Sequence, residues 1–291
     1  MQIVLHAGAH MTDEDRLINC LTANSRDLAK YGTSLPSPRT YRKLIRDVIH
    51  DGDKTGIDPK ARDEILSAVM NGEDTDRLVL SNASFFGSPK MSASAGVFYN
   101  AAESRLDLLQ QIFPNDEIEL FMAICNPATF LPAIFEQTPF DNLADYLRGA
   151  EPTSMRWSGL FERLRAAFPD IAMTVWCNED TPLIWGQVLR ELSGVDPTVD
   201  IAGEFSLLSE ILSDVGMKRF EAYLAAHPNL SEIQKRRVIA AFLDKFAEDT
   251  TFEIEVNIPG WTEGLIAQLT EVYDDDIAAI QQLPGVNVIM P

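Results

Sequence analysis

The segment Ile3-Val4-Leu5-His6-Ala7-Gly8-Ala9-His10-Met11-Thr12-Asp13-Glu14-Asp15-Arg16-Leu17 holds the densest set of groups able to do chemistry. A short apolar run ends in a histidine, passes through a glycine-containing turn and enters a helical period. In an α/β protein a strand-turn-helix of this kind binds phosphates, because free backbone N–H groups and the positive end of the helix dipole face the anion. His6 and His10, together with Asp13 and Asp15, also have the ligand types of a divalent-metal site. Two histidines four apart across a turn lack helical register, so no metal site is assigned.

A second constellation is cationic. Arg39, Arg42, Lys43 and Arg46, with Lys30 nearby, form the densest positive patch of the chain. Such a stripe attracts an anionic substrate or partner; the competing reading is a solvated helix face paired to acids elsewhere. The contrast with the rest is large. The 291 residues carry 24 Lys+Arg against 44 Asp+Glu, a net charge of 24 − 44 = −20. Residues 1–50 hold 7 bases and 5 acids (+2), and residues 51–291 hold 17 and 39 (−22). Nucleic-acid binding draws on clustered Lys and Arg, so this balance argues against it.

Other patterns carry less. Asp51-Gly52-Asp53 and Asp274-Asp275-Asp276 have the D-x-D form of a metal-nucleotide site but sit in a turn-like and a helical context, where solvated acids are expected. There is no G-x-S-x-G, and none of Cys20, Cys125 and Cys177 stands beside a histidine in sequence, so nucleophilic catalysis has no sequence support. The cysteines are odd in number and without a C-x-x-C pair, as expected of reduced, buried thiols.

The elements that must position these groups follow from periodicity. Apolar runs at Ile3–His6, Leu78–Ser81, Ile118–Cys125 and Ala172–Trp176, with a weaker one at Phe252–Val256, read as buried strands between amphipathic helices. In Arg39–His50 the residues Tyr41, Leu44, Ile45, Val48 and Ile49 share one helical face, and the cations lie on another. Asp180-Thr181-Pro182 and Ser231 with Gln234 read as helix starts. The alternation predicts an α/β fold: a three-layer sandwich with a central, mostly parallel sheet. It is expected as a single domain over 1–291, with a helical subdomain at about 204–250. No window reaches the roughly 18 apolar residues of a membrane span and the start is no signal peptide, so a cytoplasmic protein with no membrane partner is expected.

The first loop resembles that of the bacterial sulfotransferase family, approximately G-x-x-K-[ST]-G-[ST]-[ST] after a strand often ending in His. Gly8, His10 and Thr12 match as they stand. The resemblance implies a P-loop-like fold in which this loop grips the phosphosulfate of phosphoadenosine phosphosulfate (PAPS). Here Met11 replaces the lysine, Asp13 the glycine, and Glu14 and Asp15 the hydroxyl residues. Each like-charge contact near 4 Å costs on the order of 4 kcal/mol at an effective dielectric of 20. The same acids in a first helical turn would stabilise the helix through its dipole.

Further similar segments also lack the family's functional residues. The R-[DHN]-P-x-x-x-x-x-S that holds the 3′-phosphate reads Cys125-Asn126-Pro127 through Ala133, without the Arg and the Ser. Ala83 stands at the Glu of the family's S-x-E, and Val175-Trp176-Cys177-Asn178-Glu179-Asp180 resembles its Tyr-Glu-Asp strand end. The resemblance thus implies a sulfotransferase-like protein with degenerate PAPS loops. The leading expectation is a non-catalytic binding or interaction protein, taking a small molecule or a protein partner through the old substrate cleft or the stripe Arg39, Arg42, Lys43 and Arg46. The alternative is an active sulfotransferase that moves a sulfuryl group from PAPS to a hydroxyl or amine. Its cofactor positions would be Gly8, His10, Thr12, Arg16 and Asn126, with His10 and Thr12 catalytic. A metal-dependent transferase using another donor stands third.

Overall fold

The computed structural model describes residues 1–70, 75–248 and 258–291. Its centre is a six-stranded sheet of β1 (Gln2–His6), β2 (Thr33–Ser34), β3 (Arg77–Ser81), β6 (Glu117–Ile124), β7 (Ala172–Cys177) and β8 (Val286–Ile289). The strand order is β2-β3-β1-β6-β7-β8, and every neighbouring pair is parallel. A two-stranded antiparallel hairpin, β4 (Ala93–Ser94) with β5 (Val97–Phe98), lies apart from it.

The helices are α1 (Arg16–Ala23), α2 (Ser25–Leu28), α3 (Pro38–Thr55), α4 (Ala61–Val69), α5 (Ala102–Ile112), α6 (Pro127–Phe135) and α7 (Leu143–Tyr146), followed by α8 (Trp157–Ala167), α9 (Thr181–Ser193), α10 (Ser206–Ile211), α11 (Asp214–Ala226), α12 (Glu232–Phe246) and α13 (Glu263–Gln281). They cover both faces of the sheet. Ile3 and Leu5 of β1, Leu78 and Leu80 of β3, and Leu120 and Met122 of β6 face a core completed by α3, α4, α5, α6, α8 and α13. The alternate residues Val4, Val79, Phe121, Ala123 and Trp176 face a second core with α1 and α9. Burial on both faces is why these strands read as continuous apolar runs rather than as alternation.

α3 forms as its pattern requires. Pro38 occupies the first turn, where its missing N–H costs nothing, and Gly56 ends the helix at φ 82°. Tyr41, Ile45 and Ile49 are buried, which leaves Arg39, Lys43 and Arg46 exposed.

Four expected strands are present within one residue at each end; Phe252–Val256 lies outside the described residues. The edge strands β2 and β8 were not expected. The first is two residues long, and the second follows a Gly285 turn at φ 80°. The helical stretch from Glu204 to Phe246 is α10, α11 and α12, joined by an apolar cluster of Leu208, Leu212, Phe220 and Ile239. Ser231 and Gln234 make the expected reciprocal capping box. Asp180 does not cap: it closes a 3-10 turn, Asn178–Asp180, and its side chain makes no cap bond to α9. Among the described residues no helix is long and apolar enough to cross a membrane.

Candidate functional site

The chain leaves β1 toward β2 and leaves β6 toward β7, so the strand order reverses between β1 and β6. In open parallel sheets the crevice at the carboxyl ends of such a pair receives the ligand. Here backbone fills it. Beyond β1, Ala7 N–H donates to Phe121 O (2.9 Å), Ala9 N–H to Ala123 O (2.7 Å), and Ala123 N–H to Gly8 O (2.7 Å). The loop continues the ladder along β6 instead of opening over it. Gly8 is held at φ 99°, and a Cβ there would lie 3.2 Å from Ala83 Cα.

The polar residues of the loop are engaged within the protein. The Thr12 hydroxyl donates to Ala9 O (2.8 Å). Contrary to a first-turn placement of all three acids, α1 begins at Arg16 and only Asp13 serves it, its buried carboxylate accepting the Leu17 N–H at 2.8 Å. The Asp13 carbonyl takes the Arg16 N–H at 3.0 Å. Glu14 pairs with Arg16 (3.4 Å), which also reaches Glu210 (2.9 Å). Asp15 holds Arg42 through two bonds of 2.9 and 2.5 Å, and the Arg42 Nε–H donates to Ser81 O (2.7 Å). The hydrogen bond from Arg42 keeps the Asp15 carboxyl below the usual carboxylate range. Met11, Glu14 and Asp15 all sit at positive φ (63°, 50° and 65°), a conformation that the side-chain anchors must hold against local preference.

Asp13→Ala is expected to cost about 1 kcal/mol, the usual value of a helix-start acceptor, and Asp13→Asn much less, because an amide oxygen can take the same N–H. Urea unfolding of the two variants measures the difference.

Both loop histidines are core residues. His6 is fully buried, its Nδ1 3.0 Å from Ser81 Oγ and its ring stacked on Trp176. Burial lowers its pKa, and its Nε2 has no hydrogen-bond partner among the described residues. His10 lies beneath the loop among hydroxyls: Nδ1 is 2.8 Å from Tyr99 OH and 3.2 Å from Ser92 Oγ, and Nε2 is 3.3 Å from Ser84 Oγ. Burial pushes its pKa down to about 4.

Asn126, at the end of β6, starts α6. Its Oδ1 accepts the Ala128 N–H (2.9 Å), its Nδ2 donates to Thr270 Oγ1 (2.9 Å), and its backbone N–H donates to Glu179 Oε1 (2.7 Å). Cys125 is buried 3.3 Å from Thr129 Oγ1, and burial raises its pKa. Thr12, Arg16 and Asn126 are thus each bonded within the protein, and His10 meets the hydroxyls of Tyr99, Ser92 and Ser84. Among the described residues no group of three or more His, Cys, Asp or Glu is placed to hold a metal.

What the fold does bring together is the cationic stripe and the carboxyl end of β3. A cleft of about 1140 Å³ lies between α3 and the segment that follows β3. Among the described residues Arg39, Arg42, Lys43, Arg46 and the distant Arg105 line it, with Asp15 the one acid, a lining charge of 5 − 1 = +4. Ile45, Ile49, Phe85 and Met91 supply apolar surface, and Asn82, Ser84 and Ser88 supply polar groups. Arg42 is committed to Asp15, and Arg46 bonds Asp47 at 3.1 Å. Arg105 approaches Asp53 only at 3.9 Å. Among the described residues Arg39 and Lys43 have no hydrogen-bond or ion-pair partner. Sequence reasoning found the stripe but missed Arg105, Ser84 and the Phe85–Met91 wall, which reach it only through the pairing of β3 beside β1.

No family model, curated protein or solved structure matches the chain. The residues present do not fit PAPS at the β1 loop. The helix-start donor that a phosphosulfate needs is taken by Asp13, the Thr12 hydroxyl by Ala9, and no cation stands in the place of the missing lysine.

Proposed function

We propose that this chain is a sulfotransferase-like protein without PAPS chemistry at its first loop, and that it binds an amphipathic anion in the α3 cleft. The carrying observation is the lining charge of +4 in a chain of net −20, with two lining cations left unpaired among the described residues. Exposed cations in an acidic protein readily find carboxylate neighbours. A concave wall that keeps them free, in a medium less polar than water, concentrates potential on whatever enters.

The apolar residues define the rest of the ligand. Ile45, Ile49, Phe85 and Met91 favour an aromatic or branched aliphatic body, with its phosphate, sulfate or carboxylate on Arg39 and Lys43. A long polyanion is disfavoured, because beyond the cleft it meets the −20 field. The reading is of a cytoplasmic small-molecule binder.

Calorimetry with 1-naphthyl phosphate tests it. Saturable one-to-one binding that weakens with added salt is expected. Adenosine 3′,5′-bisphosphate, the desulfonated form of PAPS, is expected to show no saturable binding at the β1 loop. Failure of naphthyl phosphate to bind at millimolar concentration would remove the cleft reading. Micromolar bisphosphate binding that survives reversal of Arg39 and Lys43 would restore a PAPS site.

A further inference from the structure

We propose that Ser84 is a nucleophile on the wall of this cleft and that His10 is its general base. Ser84 is exposed and lines the cleft, and its Oγ is 3.3 Å from His10 Nε2. The base is fixed from behind. Tyr99 OH lies 2.8 Å from His10 Nδ1 and accepts the His10 backbone N–H at 3.0 Å, and the two rings stack with centroids 5.8 Å apart. An exposed hydroxyl, a buried imidazole within reach and a third group that orients the imidazole are the parts of an activated nucleophile. No sequence motif announces them, because residues 10, 84 and 99 come from the loop after β1, the loop after β3 and the end of β5.

The hydrogen-bond chain supplies the required tautomer. The Ser92 hydroxyl donates to Ser88 O (3.4 Å), which leaves its oxygen, 3.2 Å from His10 Nδ1, as an acceptor. Nδ1 therefore faces two oxygens, Ser92 Oγ and Tyr99 OH, that can accept its N–H, and the tautomer with Nδ1–H is favoured. That leaves the Nε2 lone pair facing Ser84. Burial keeps His10 neutral at pH 7 and therefore able to accept a proton. Tyr99, whose hydroxyl lies against the ring, is held protonated by burial.

The substrate class rests on the anion-binding reading: a carboxylic ester carrying an anionic group, the anion on Arg39 and Lys43 and the carbonyl at Ser84. Ser84 Oγ bonds to the carbonyl carbon as its proton passes to His10 Nε2. The bond to the alkoxide oxygen breaks, and Nε2 returns the proton to that oxygen. Water then adds to the acyl-serine, giving its proton to Nε2, and the acid leaves as Ser84 Oγ is reprotonated.

The test is covalent labelling of the full chain with phenylmethylsulfonyl fluoride, a neutral reagent that needs no cationic site, mapped by peptide mass spectrometry. Ser84 is expected to react at least tenfold faster than Ser88, an exposed serine of the same loop that has no histidine against it. His10→Gln should bring the two rates together. Since that substitution is in the core, the rate-pH profile of the unmodified protein is the second measurement: labelling of Ser84 should fall as His10 takes up its proton near pH 4. Equal labelling of Ser84 and Ser88, or a Ser84 rate indifferent to pH between 7 and 4, overturns the proposal. Labelling of Ser84 that persists in a variant with Arg39 and Lys43 reversed supports the nucleophile whatever becomes of the anion site.

Discussion

Reversing Arg39 and Lys43 together to glutamate is expected to weaken aryl phosphate binding at least a hundredfold. The double variant changes the lining charge from +4 to 0, since three cations then face three acids. A hundredfold loss is about 2.7 kcal/mol, or about 0.7 kcal/mol for each of the four charge units changed. That is modest for charges within about 5 to 8 Å of a bound dianion at an effective dielectric between 20 and 80. The fold should not suffer, because both side chains are exposed and without a partner among the described residues. A control separates local from global charge. Arg26→Glu with Lys54→Glu alters net charge equally on exposed positions that do not line the cleft, and should change binding less than threefold at 0.15 M salt, where the screening length is about 8 Å. Equal losses in the two pairs would show that the phosphate responds to the protein's overall field and not to this cleft.

The parts of the fold legible in the sequence are those whose burial is two-sided. Leu78–Ser81 and Leu120–Ile124 announce themselves because each face of the strand meets its own core, so every position is buried and none is charged. The edge strands β2 and β8 lack that signature: Thr33 and Ser34 are polar, and Asn287 is exposed. The site divides in the same way. The stripe on α3 is local, set by the 3.6-residue period that buries Tyr41, Ile45 and Ile49. Its second wall is not local. Arg105 lies near residue 46 only because α5 packs on α3 above β3. The loop after β1 shows the same limit: its strand-turn-helix form and its acids were legible, but the pairing of Ala7–Ala9 with β6, which turns those donors inward, was not. The legible feature was the charge, and the illegible one was the backbone path that decides which charges share a cavity.

Acidification from pH 7 to 4 is expected to remove about 3 kcal/mol of native stability through His10. The native pKa of about 4 lies well below the ordinary imidazole value of 6.5, and each tenfold change in proton affinity is worth about 1.4 kcal/mol. Between these two values the unfolded chain binds a proton that the native state refuses, so stability rises with pH across this window. The contribution is whole above pH 6.5, declines as pH falls, and is fully lost below about 4. His6, its pKa lowered chiefly by burial, acts in the same direction. The ion-paired carboxylates act elsewhere: Asp15 and Asp116, lowered by Arg42 and Arg62, contribute above the unfolded carboxylate range and lose that contribution only as pH falls below about 4. Asp180, its carboxyl raised by burial and by Glu179, acts in the opposite sense, so the interval from 4.5 to 6.5 isolates His10 only as a difference between parent and variant. Urea unfolding across it should show a slope smaller by nearly one proton in His10→Gln than in the parent, whatever the variant's absolute stability. The slope is the right observable because loss of the Tyr99 and Ser84 contacts shifts the whole curve by a constant, whereas only a titrating group tilts it. An unchanged slope, or a native His10 ring that titrates near 6.5 by NMR, would mean that the imidazole is charged when the pocket is mildly acidic. It would then lose the free Nε2 lone pair on which its role toward Ser84 depends.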